Sequence, residues 1–598
     1  MRSHSLVVVL SLGSAALALH GQFPVSTTDE SVRPLDIGNL DNDKSHSYSF
    51  DSKVEQWRFD EGPAENATGN LIFDTVHSFL QHWPNTRYRN GHNIVPGVVP
   101  TGTLLYHGTG RKTIPSGPEW TATDPEHSLL FAARGKDGSG WQLTLATTRP
   151  LKVLYFDGSS AAKVAEGTMD TQDIIAWGEV QPERFFDERS RIEDLCRWGK
   201  EFGIDGFARM EMDFEVMLCD FTAGVELVSF LYVRLSPTDK DHSPPSPPSP
   251  PPLDPNNQVR RFEVMHSGSW HNRYPGDSRI VLDLTGLVSL YDIALAPSLV
   301  PVREGLERWD HRVLGISSND ISKVMRKLTE VISRPHPTNS DLDWKTLIHV
   351  IVDRYANRLE LMQYLLNFTS SDPQEVLERA KLTQIQLRVM LMPYLLDSTI
   401  VPSASTSDVD TLQWASPIFR LCATTHTSVM IKQIPFMTPS EHLLLKAVEE
   451  TTREVCRVTT KMWAVGVMNG LDTLFPIELN GEPDVPQIMN DRRQDTEKLM
   501  SWLDWSIWIK CRPACGPEEM CYLPTWPNNA PGPRHPHQPP RDPQNSTGAP
   551  AEVQDLADRV GYPPEGSVIA GGFSFIGTPE EWKKPQPKCI RRLPPYGF

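Results

Sequence analysis

The sequence predicts an α+β protein: a mixed α/β domain with antiparallel strands, then a mostly helical region and a proline-rich tail that carries cysteines. Three observations predict this class. Strand-like apolar runs occur in residues 71–316, apolar stripes with helical spacing occur in residues 317–523, and residues 524–598 are rich in proline. Hydrophobic residues make up 39% and charged residues 22% of the chain, which is typical of a soluble protein.

Residues 1–18 have the form of a secretory signal peptide. Met1-Arg2 is a short basic start, an apolar run follows from Leu6 to Leu19, and Ala16-Leu17-Ala18 supplies the small residues of a cleavage site. The run is too short to span a bilayer comfortably, and no later apolar stretch is long enough. We therefore expect a secreted, extracellular protein without a membrane span.

An extended lead-in is expected over residues 19–70, which are polar and lack a period. In the domain that follows, Trp141 to Leu145 alternates apolar with polar residues and Leu151 to Phe156 is a continuous apolar run, so both predict strands. Asp124-Pro125 predicts the start of a helix. Further patterns predict a helix opened by a capping box at Ser190 and strands over residues 204–210 and 225–233.

A proline-rich stretch interrupts this domain at residues 236–256. Its centre, Ser243 to Pro252, has a composition that forms polyproline II and buries too little surface to pack a core. We interpret the stretch as a loop insertion because residues 279–290 beyond it again have a strand pattern. A linker between two domains remains the alternative.

Helical spacing dominates from residue 317 onward. Apolar stripes run from Ile321 to Ile332 and from Trp344 to Met362, and Thr438-Pro439 is a strong helix start. A final helix is expected around residues 493–510. Its tryptophans Trp502, Trp505 and Trp508 form a stripe that we assign to the core instead of to a sugar or lipid surface.

The eight cysteines are even in number, and in an oxidising compartment they are expected to form disulfides. Proximity favours the pairs Cys196–Cys219 and Cys422–Cys456. It groups the other four, Cys511, Cys515, Cys521 and Cys589, in a knot whose connectivity stays open. No metal site is expected.

The chain is acidic, with 58 basic and 75 acidic side chains and a net charge of −17. Such a chain has no general attraction to phosphate backbones or anionic lipid, so nucleic acid is not expected as a partner. Three sequons permit N-glycans in a secreted protein, at Asn66, Asn367 and Asn545.

The sharpest local feature is the segment Leu104 to Thr109, an apolar strand that ends in His-Gly-Thr. A turn with glycine and proline follows, then a short predicted strand from Trp120 to Thr123 and the helix from Pro125. A strand end fixes the direction of an imidazole, and a glycine lets a ligand approach the backbone closely. These residues are therefore candidates for ligand binding.

This segment resembles the first motif of the His-Tyr-Glu class of ADP-ribosyltransferases, which includes poly(ADP-ribose) polymerases and diphtheria-type toxins. The resemblance covers about residues 101–235. It implies that NAD is the substrate, that His107 binds the adenosine ribose, and that Gly108, followed by Thr109, holds the nicotinamide amide. The family's stacking tyrosine has no match; Trp120 on a strand and Phe131 on a helix are the aromatic residues available. The acceptor of ADP-ribose is unknown.

The family also needs a glutamate that opens a late strand, where its carboxylate stabilises the positive charge that grows as nicotinamide leaves. The resemblance assigns this role to Glu226, which begins a predicted strand, with Glu215 as second choice. A purely structural interpretation is open too. In it, His107 is a hydrogen-bonded histidine at a strand end and Glu226 a solvent-facing strand residue.

Two other function classes remain. Asp157, Asp170 and Asp173 lie beside tryptophans and, as a carboxylate pair about 5–10 Å apart in an open groove, would serve a carbohydrate-active hydrolase. The same residues also fit a turn and helix caps. The third class is a non-catalytic secreted or cell-surface interaction protein, which the proline spacer, the sequons and the scarcity of motifs favour.

Overall fold

The computed structural model describes residues 57–132, 139–210, 212–235, 255–334, 340–402, 409–479, 481–525, 579–594 and 596. The predicted signal peptide, the Ser243–Pro252 stretch, most of the tail and the Asn545 sequon lie outside them. Within the described part, the protein is α+β, as predicted, with one mixed ten-stranded sheet and a large set of helices. No described helix is both long and apolar enough to cross a membrane.

The large sheet is mostly antiparallel. Its strands are β1 (Asn93–Val99), β2 (Leu104–Thr109), β3 (Glu119–Ala122), β4 (Ser139–Thr147), β5 (Leu151–Phe156), β6 (Gly206–Met210), β7 (Phe214–Leu218), β8 (Val225–Arg234), β9 (Val281–Leu282) and β10 (Val288–Ser289). Nine of them follow the order β10-β1-β5-β6-β7-β3-β2-β4-β8, and β9 pairs with β1. The pair β5–β6 is parallel.

Fourteen described helices accompany the sheet. They are α1 (Gly69–Ser78), α2 (His82–Thr86), α3 (Pro125–Ala132), α4 (Asp170–Trp177), α5 (Glu188–Lys200), α6 (Pro255–Ser269), α7 (Leu299–Arg303), α8 (Ser318–Ile332), α9 (Trp344–Leu366), α10 (Pro373–Leu391), α11 (Ser416–Thr424), α12 (Pro439–Met468), α13 (Val485–Leu503) and α14 (Pro579–Lys583). The sequence pattern places α3, α8 and α12 where they begin. Helix α12, for example, starts with a complete capping box between Thr438 and Glu441.

The two faces of the sheet belong to different cores. One face, with Leu105, Leu143 and Val216, shares a continuous core with α1 and with helices α9 to α13. The other face, with Leu154 and Phe207, packs on α4, α5 and α8. The alternation of side chains along each strand produces this division.

Helix α1 joins the sheet to the helical region. Phe79, next to its end, lies edge-on to Tyr155 of β5 with ring centroids 5.6 Å apart. On another side, Phe73 stacks on Trp505 with centroids 5.9 Å apart. Trp505 is 1% exposed, in agreement with its assignment to the core.

Four disulfides are present. Cys196–Cys219 and Cys422–Cys456 are the two pairs that proximity predicts. The remaining cysteines pair as Cys511–Cys521 and Cys515–Cys589. The last of these bonds holds a small two-stranded sheet of β11 (Glu519–Tyr522) and β12 (Lys588–Arg591) to the preceding chain. The end of the predicted tail is thus tied back to residue 515.

Candidate functional site

Strands β2 and β3 diverge at His107. Strand β2 pairs with β4 along its whole length, but its pairing with β3 is limited to Tyr106 opposite Ala122. The strand register places His107 on the face of Leu105 and Leu143. Thr121, the residue of β3 that precedes Ala122, has no paired residue on β2. A gap therefore opens in the sheet where the predicted motif begins.

The imidazole of His107 fills this gap. Its Nδ1 lies 2.8 Å from the carbonyl oxygen of Trp120. Because a carbonyl accepts hydrogen bonds only, the proton is on Nδ1, and Nε2 has the acceptor role in the neutral ring. The ring lies 5.2 Å from the Trp120 ring and 5.7 Å from the Phe221 ring, and the side chain is 5% exposed. His107 is thus held in a single orientation.

An aromatic surface lies next to His107. Trp120 and Phe131, both half-buried, have ring centroids 4.2 Å apart. His127 of α3 lies 6.2 Å from Trp120 and 5.9 Å from Phe131. The two aromatic residues that the sequence offers in place of the stacking tyrosine therefore contact each other beside His107.

Gly108 has a packing role. A Cβ atom at this position would lie 1.8 Å from the carbonyl oxygen of Ser128 in α3. At Gly140 of β4 the same construction gives 1.5 Å to the carbonyl oxygen of Ala132. The glycines let α3 lie directly on the sheet. This contact explains Gly108 without a ligand. Thr109 accepts a hydrogen bond from the backbone of Arg111 at 3.2 Å.

Glu226 lies two strands from His107, since β4 separates β2 from β8. His107 lies opposite Leu143 of β4, and Leu143 lies opposite Phe230 of β8. Glu226 instead lies opposite Ala146, an odd number of residues further along β4. Because successive strand residues alternate between faces, Glu226 points away from the face that carries His107. The structure does not bring these two residues into one cleft.

Glu215, the second choice for the acid, lies on β7 opposite Ala122. It is 3% exposed and accepts hydrogen bonds from Nε and Nη2 of Arg209 at 2.8 and 2.6 Å. Arg209 also binds Glu188 of α5. A buried guanidinium thus holds this carboxylate inside the protein.

The three aspartates of the hydrolase alternative are held by protein partners. Asp157, Asp170 and Asp173 are 4%, 3% and 2% exposed. Their partners are Asn93 for Asp157 at 2.7 Å, Arg312 for Asp170 at 2.9 Å and Arg191 for Asp173 at 2.9 Å. Burial raises the pKa of Asp157 and that of Asp173 to about 6. Their burial separates them from the open groove that a hydrolase requires.

A second group of titratable residues lies on the other side of α3. We call Asp124, Asp213, His271 and Arg279 the Asp124 cluster. Asp124 precedes α3, Asp213 lies between β6 and β7, and His271 follows α6. His271 Nε2 lies 2.8 Å from Asp124 Oδ2 and 3.9 Å from Asp213 Oδ1, while Ser267 of α6 donates to Asp213 Oδ2 at 3.0 Å.

Burial and neighbouring charges shift the pKa values of the two carboxyls of this cluster in opposite directions. Burial raises the pKa of Asp213 to about 7, and the neighbouring Asp124 carboxylate adds to the increase. For Asp124, burial is outweighed by the hydrogen bonds from His271 and Arg279, so its pKa lies well below the usual range. Near neutral pH, Asp124 is therefore ionised, while Asp213 is protonated in part of the molecules.

Asp124, Asp213 and His271 also have the donor types of a metal site, with ligand atoms within 4.8 Å of one another. However, Nη2 of Arg279 lies 2.8 Å from Asp124 Oδ2 and 3.1 Å from His271 Nε2. A permanent cation of the protein thus lies beside two of the three donors. The residues present fit an internal ion cluster better than a metal centre.

Sequence reasoning missed the Asp124 cluster. In the sequence, Asp124 has only the pattern of a helix cap, and its partners His271 and Arg279 follow 147 and 155 residues later, beyond the proline-rich stretch. Neither partner belongs to a motif with a recognisable spacing. The one available signal is the Asp213-Phe214-Glu215 triplet, which places two carboxyls two residues apart.

Comparison with known proteins finds one family model that is similar to this region. The model of the YPL277C N-terminal domain matches residues 62–142 and 137–245, which include His107, Trp120 and Asp213. His271 and Arg279 lie beyond the matched residues. No solved structure matches the chain.

Two yeast proteins resemble a larger part of the chain. The uncharacterized protein YOR389W of Saccharomyces cerevisiae is 24% identical over 546 residues, which cover 77% of this chain and 82% of that protein. The uncharacterized protein YPL277C of the same organism is 26% identical over 450 residues, which cover 60% of this chain and 87% of that protein. The chain is therefore similar, over most of its length, to two proteins that are described as uncharacterized.

Proposed function

We propose that the protein binds NAD, or a ligand with a similar planar ring, where β2 and β3 diverge, and that it does so without transferring ADP-ribose. The observation that carries this proposal is the fixed imidazole of His107 beside Trp120. Of the two properties that the ADP-ribosyltransferase resemblance implies, we therefore propose NAD binding but not catalysis of ADP-ribose transfer.

The aromatic residues support binding. Trp120 and Phe131 are half-buried, so part of each residue remains accessible to solvent. Nicotinamide and adenine are flat rings that stack on such surfaces. The resemblance assigns the adenosine ribose to the His107 imidazole, which the hydrogen bond from Nδ1 to the carbonyl oxygen of Trp120 holds in place. These groups would recognise a nucleoside through stacking and hydrogen bonds, without an ion pair.

The acidic residues argue against transfer. Departure of nicotinamide needs a carboxylate beside the ribose, where positive charge develops. Glu226 points away from the face of His107, and Arg209 engages Glu215. A protein with this arrangement has a place for the ligand, but neither of the two glutamates that the resemblance offers is positioned for the reaction.

The disulfides support a further part of the proposal, namely that the protein matures in an oxidising compartment. All eight cysteines are paired. Disulfides persist in secreted and lumenal proteins and are rare in the cytosol. We include secretion, with the signal peptide expected at residues 1–18, in the proposed role.

The test is a titration of the purified full chain with NAD, followed by thermal unfolding. NAD at a hundredfold excess over its Kd should add about 2.7 kcal/mol to the free energy of unfolding. His107→Gln and Phe131→Leu should each weaken binding, since they remove the fixed imidazole and part of the ring surface. His442→Ala, an exposed histidine on α12, is the matched control and should bind like the wild type.

Nicotinamide release is measured on the same samples. We expect none above the rate without protein. Release that Glu226→Gln abolishes would contradict the absence of transfer, although binding would stand. Unchanged unfolding at every NAD concentration would contradict binding itself and leave His107 as a structural histidine.

A further inference from the structure

A groove separates helix α8 from the segment that leads into α12. Its volume is about 940 Å3, which is at the upper end for ligand pockets. One wall is formed by α8 and Arg334, and the other by residues 435–440. The groove is far along the chain from β2 and β3. A ligand of the groove would therefore bind independently of NAD.

The α8 wall is basic. It carries Lys323, Arg326, Lys327 and Arg334, together with one acidic residue of α8, Glu330. Lys323 binds Asp320 at 2.9 Å, and Lys327 lies 3.8 Å from Asp292. The lysines are therefore at least partly compensated by carboxylates.

The two arginines of this wall differ from the lysines. Arg334 donates to the carbonyl oxygens of Thr285 at 3.1 Å and Val331 at 3.4 Å. Within the described residues, neither Arg326 nor Arg334 forms an ion pair with a carboxylate. Two guanidinium charges thus face the groove in a chain whose net charge is −17.

The opposite wall is mostly apolar and fixed in place. Pro435, Phe436 and Met437 line it, and Phe436 is 65% exposed. Thr438 Oγ1 donates to the carbonyl oxygen of Thr285 at 2.8 Å, which anchors this wall to the other. Exposed apolar side chains beside a groove are typical of an interaction site.

We propose that the groove binds an extended segment of a partner protein that has carboxylates along one side and apolar residues along the other. Guanidinium groups recognise carboxylates with two hydrogen bonds, and Arg326 and Arg334 are the groups available for this. Phe436 then covers the apolar side of the segment. A polyphosphate would use the charges but not the apolar wall, and the broad surface of a bilayer would not enter a groove.

The experiment uses the purified full chain and a fluorescein-labelled heptapeptide that alternates glutamate with leucine or phenylalanine. Fluorescence anisotropy at low ionic strength should show binding, and a peptide with lysine in place of glutamate should not bind. Arg326→Glu should weaken binding at least about tenfold because it sets like charges against each other. Phe436→Ser should weaken it about threefold or more.

The matched control is Lys498→Glu, which makes the same change of charge at an exposed position of α13. It should leave the affinity within about twofold, since screened charges away from the groove act weakly. Equal losses for Arg326→Glu and Lys498→Glu, or no binding of the peptide, would overturn the proposal.

Two other occupants are tested in parallel. Vesicles with anionic lipid that bind in an Arg326-dependent way, while the peptide does not, would assign the groove to a membrane instead. A dimer in sedimentation that Arg326→Glu dissociates would assign it to a second copy of this chain. Either result would overturn the assignment to a partner segment.

Discussion

Arg279 binds both carboxylate oxygens of Asp124, through Nη1 to Oδ1 at 2.9 Å and Nη2 to Oδ2 at 2.8 Å. The bond joins the residues before β9 to the start of α3. Arg279 also binds Asp277 at 2.8 Å. One guanidinium thus neutralises two buried carboxylates and fixes the helix that lies on β2.

Arg279→Met tests this role. It leaves Asp124, which is 6% exposed, without its cation, and we expect a loss of about 3 kcal/mol in the free energy of unfolding by urea. The control is Arg149→Met, which removes a similar two-bond pair with Asp205. Arg149 is 49% exposed, so this loss should stay below about 1 kcal/mol. Equal losses would contradict the special role of Arg279.

Asp213 predicts a dependence of stability on pH. Its pKa is about 7 in the native protein and 3.8 in the unfolded chain. The native state therefore holds a proton that the unfolded state has released, and the free energy of unfolding falls as pH rises through this interval. Asp213→Asn lacks this effect. Relative to wild type, it should gain about 2 kcal/mol between about pH 5 and pH 8.

The control for this prediction is Asp60→Asn. Asp60 is exposed and its pKa is lowered, mainly by the hydrogen bond from Arg58, so its titration falls below the tested interval. Its urea curves should stay parallel to those of the wild type. Parallel curves for Asp213→Asn as well would show that Asp213 is ionised in the native protein throughout.

Gly108→Ala should destabilise the protein strongly. The new methyl group would lie 1.8 Å from a backbone oxygen of α3, so the helix must move. We expect a loss of at least about 3 kcal/mol in thermal or urea unfolding. Gly117→Ala is the control: its methyl group would lie 3.2 Å from a side-chain nitrogen of Arg189, which can shift. If both alanines were tolerated, α3 would not lie on β2 as described.

Removal of the Cys515–Cys589 disulfide should release the end of the chain. The bond closes a loop with a sequence separation of 74, and chain entropy assigns such a bond about 4 kcal/mol. The double serine variant should lose residues 579–596 to limited proteolysis, as seen by mass spectrometry. The Cys511–Cys521 bond, with a separation of 10, should matter less. Equal protease resistance of both variants would contradict this order.

Local signals made much of the fold predictable. Strand β5 has the predicted bounds because its apolar run ends where the chain turns. Helix α6 had no such signal: its residues are mostly polar and follow the proline-rich stretch. Residues 279–290 read as one strand, but Asp283 caps a turn over Leu284–Gly286 that divides it into β9 and β10.

The candidate site was only partly predictable from sequence patterns. His107 and Trp120 meet because their strands are consecutive, so their proximity was predictable. The position of Glu226 depends on an irregularity in the β4–β8 register between Thr144 and Leu145. One extra residue in β8 at this point turns Glu226 to the opposite face. No spacing in the sequence reveals such a bulge.

The core shared by the sheet and the helical region has a consequence for how this protein can evolve. The family model matches residues 62–245, yet one face of their sheet, with Leu105, Leu143 and Val216, is covered through α1 by helices that follow residue 340. Recombination that carried these residues into another protein would have to supply a new cover for that face. The residues that the family model matches therefore do not form a self-contained folding unit.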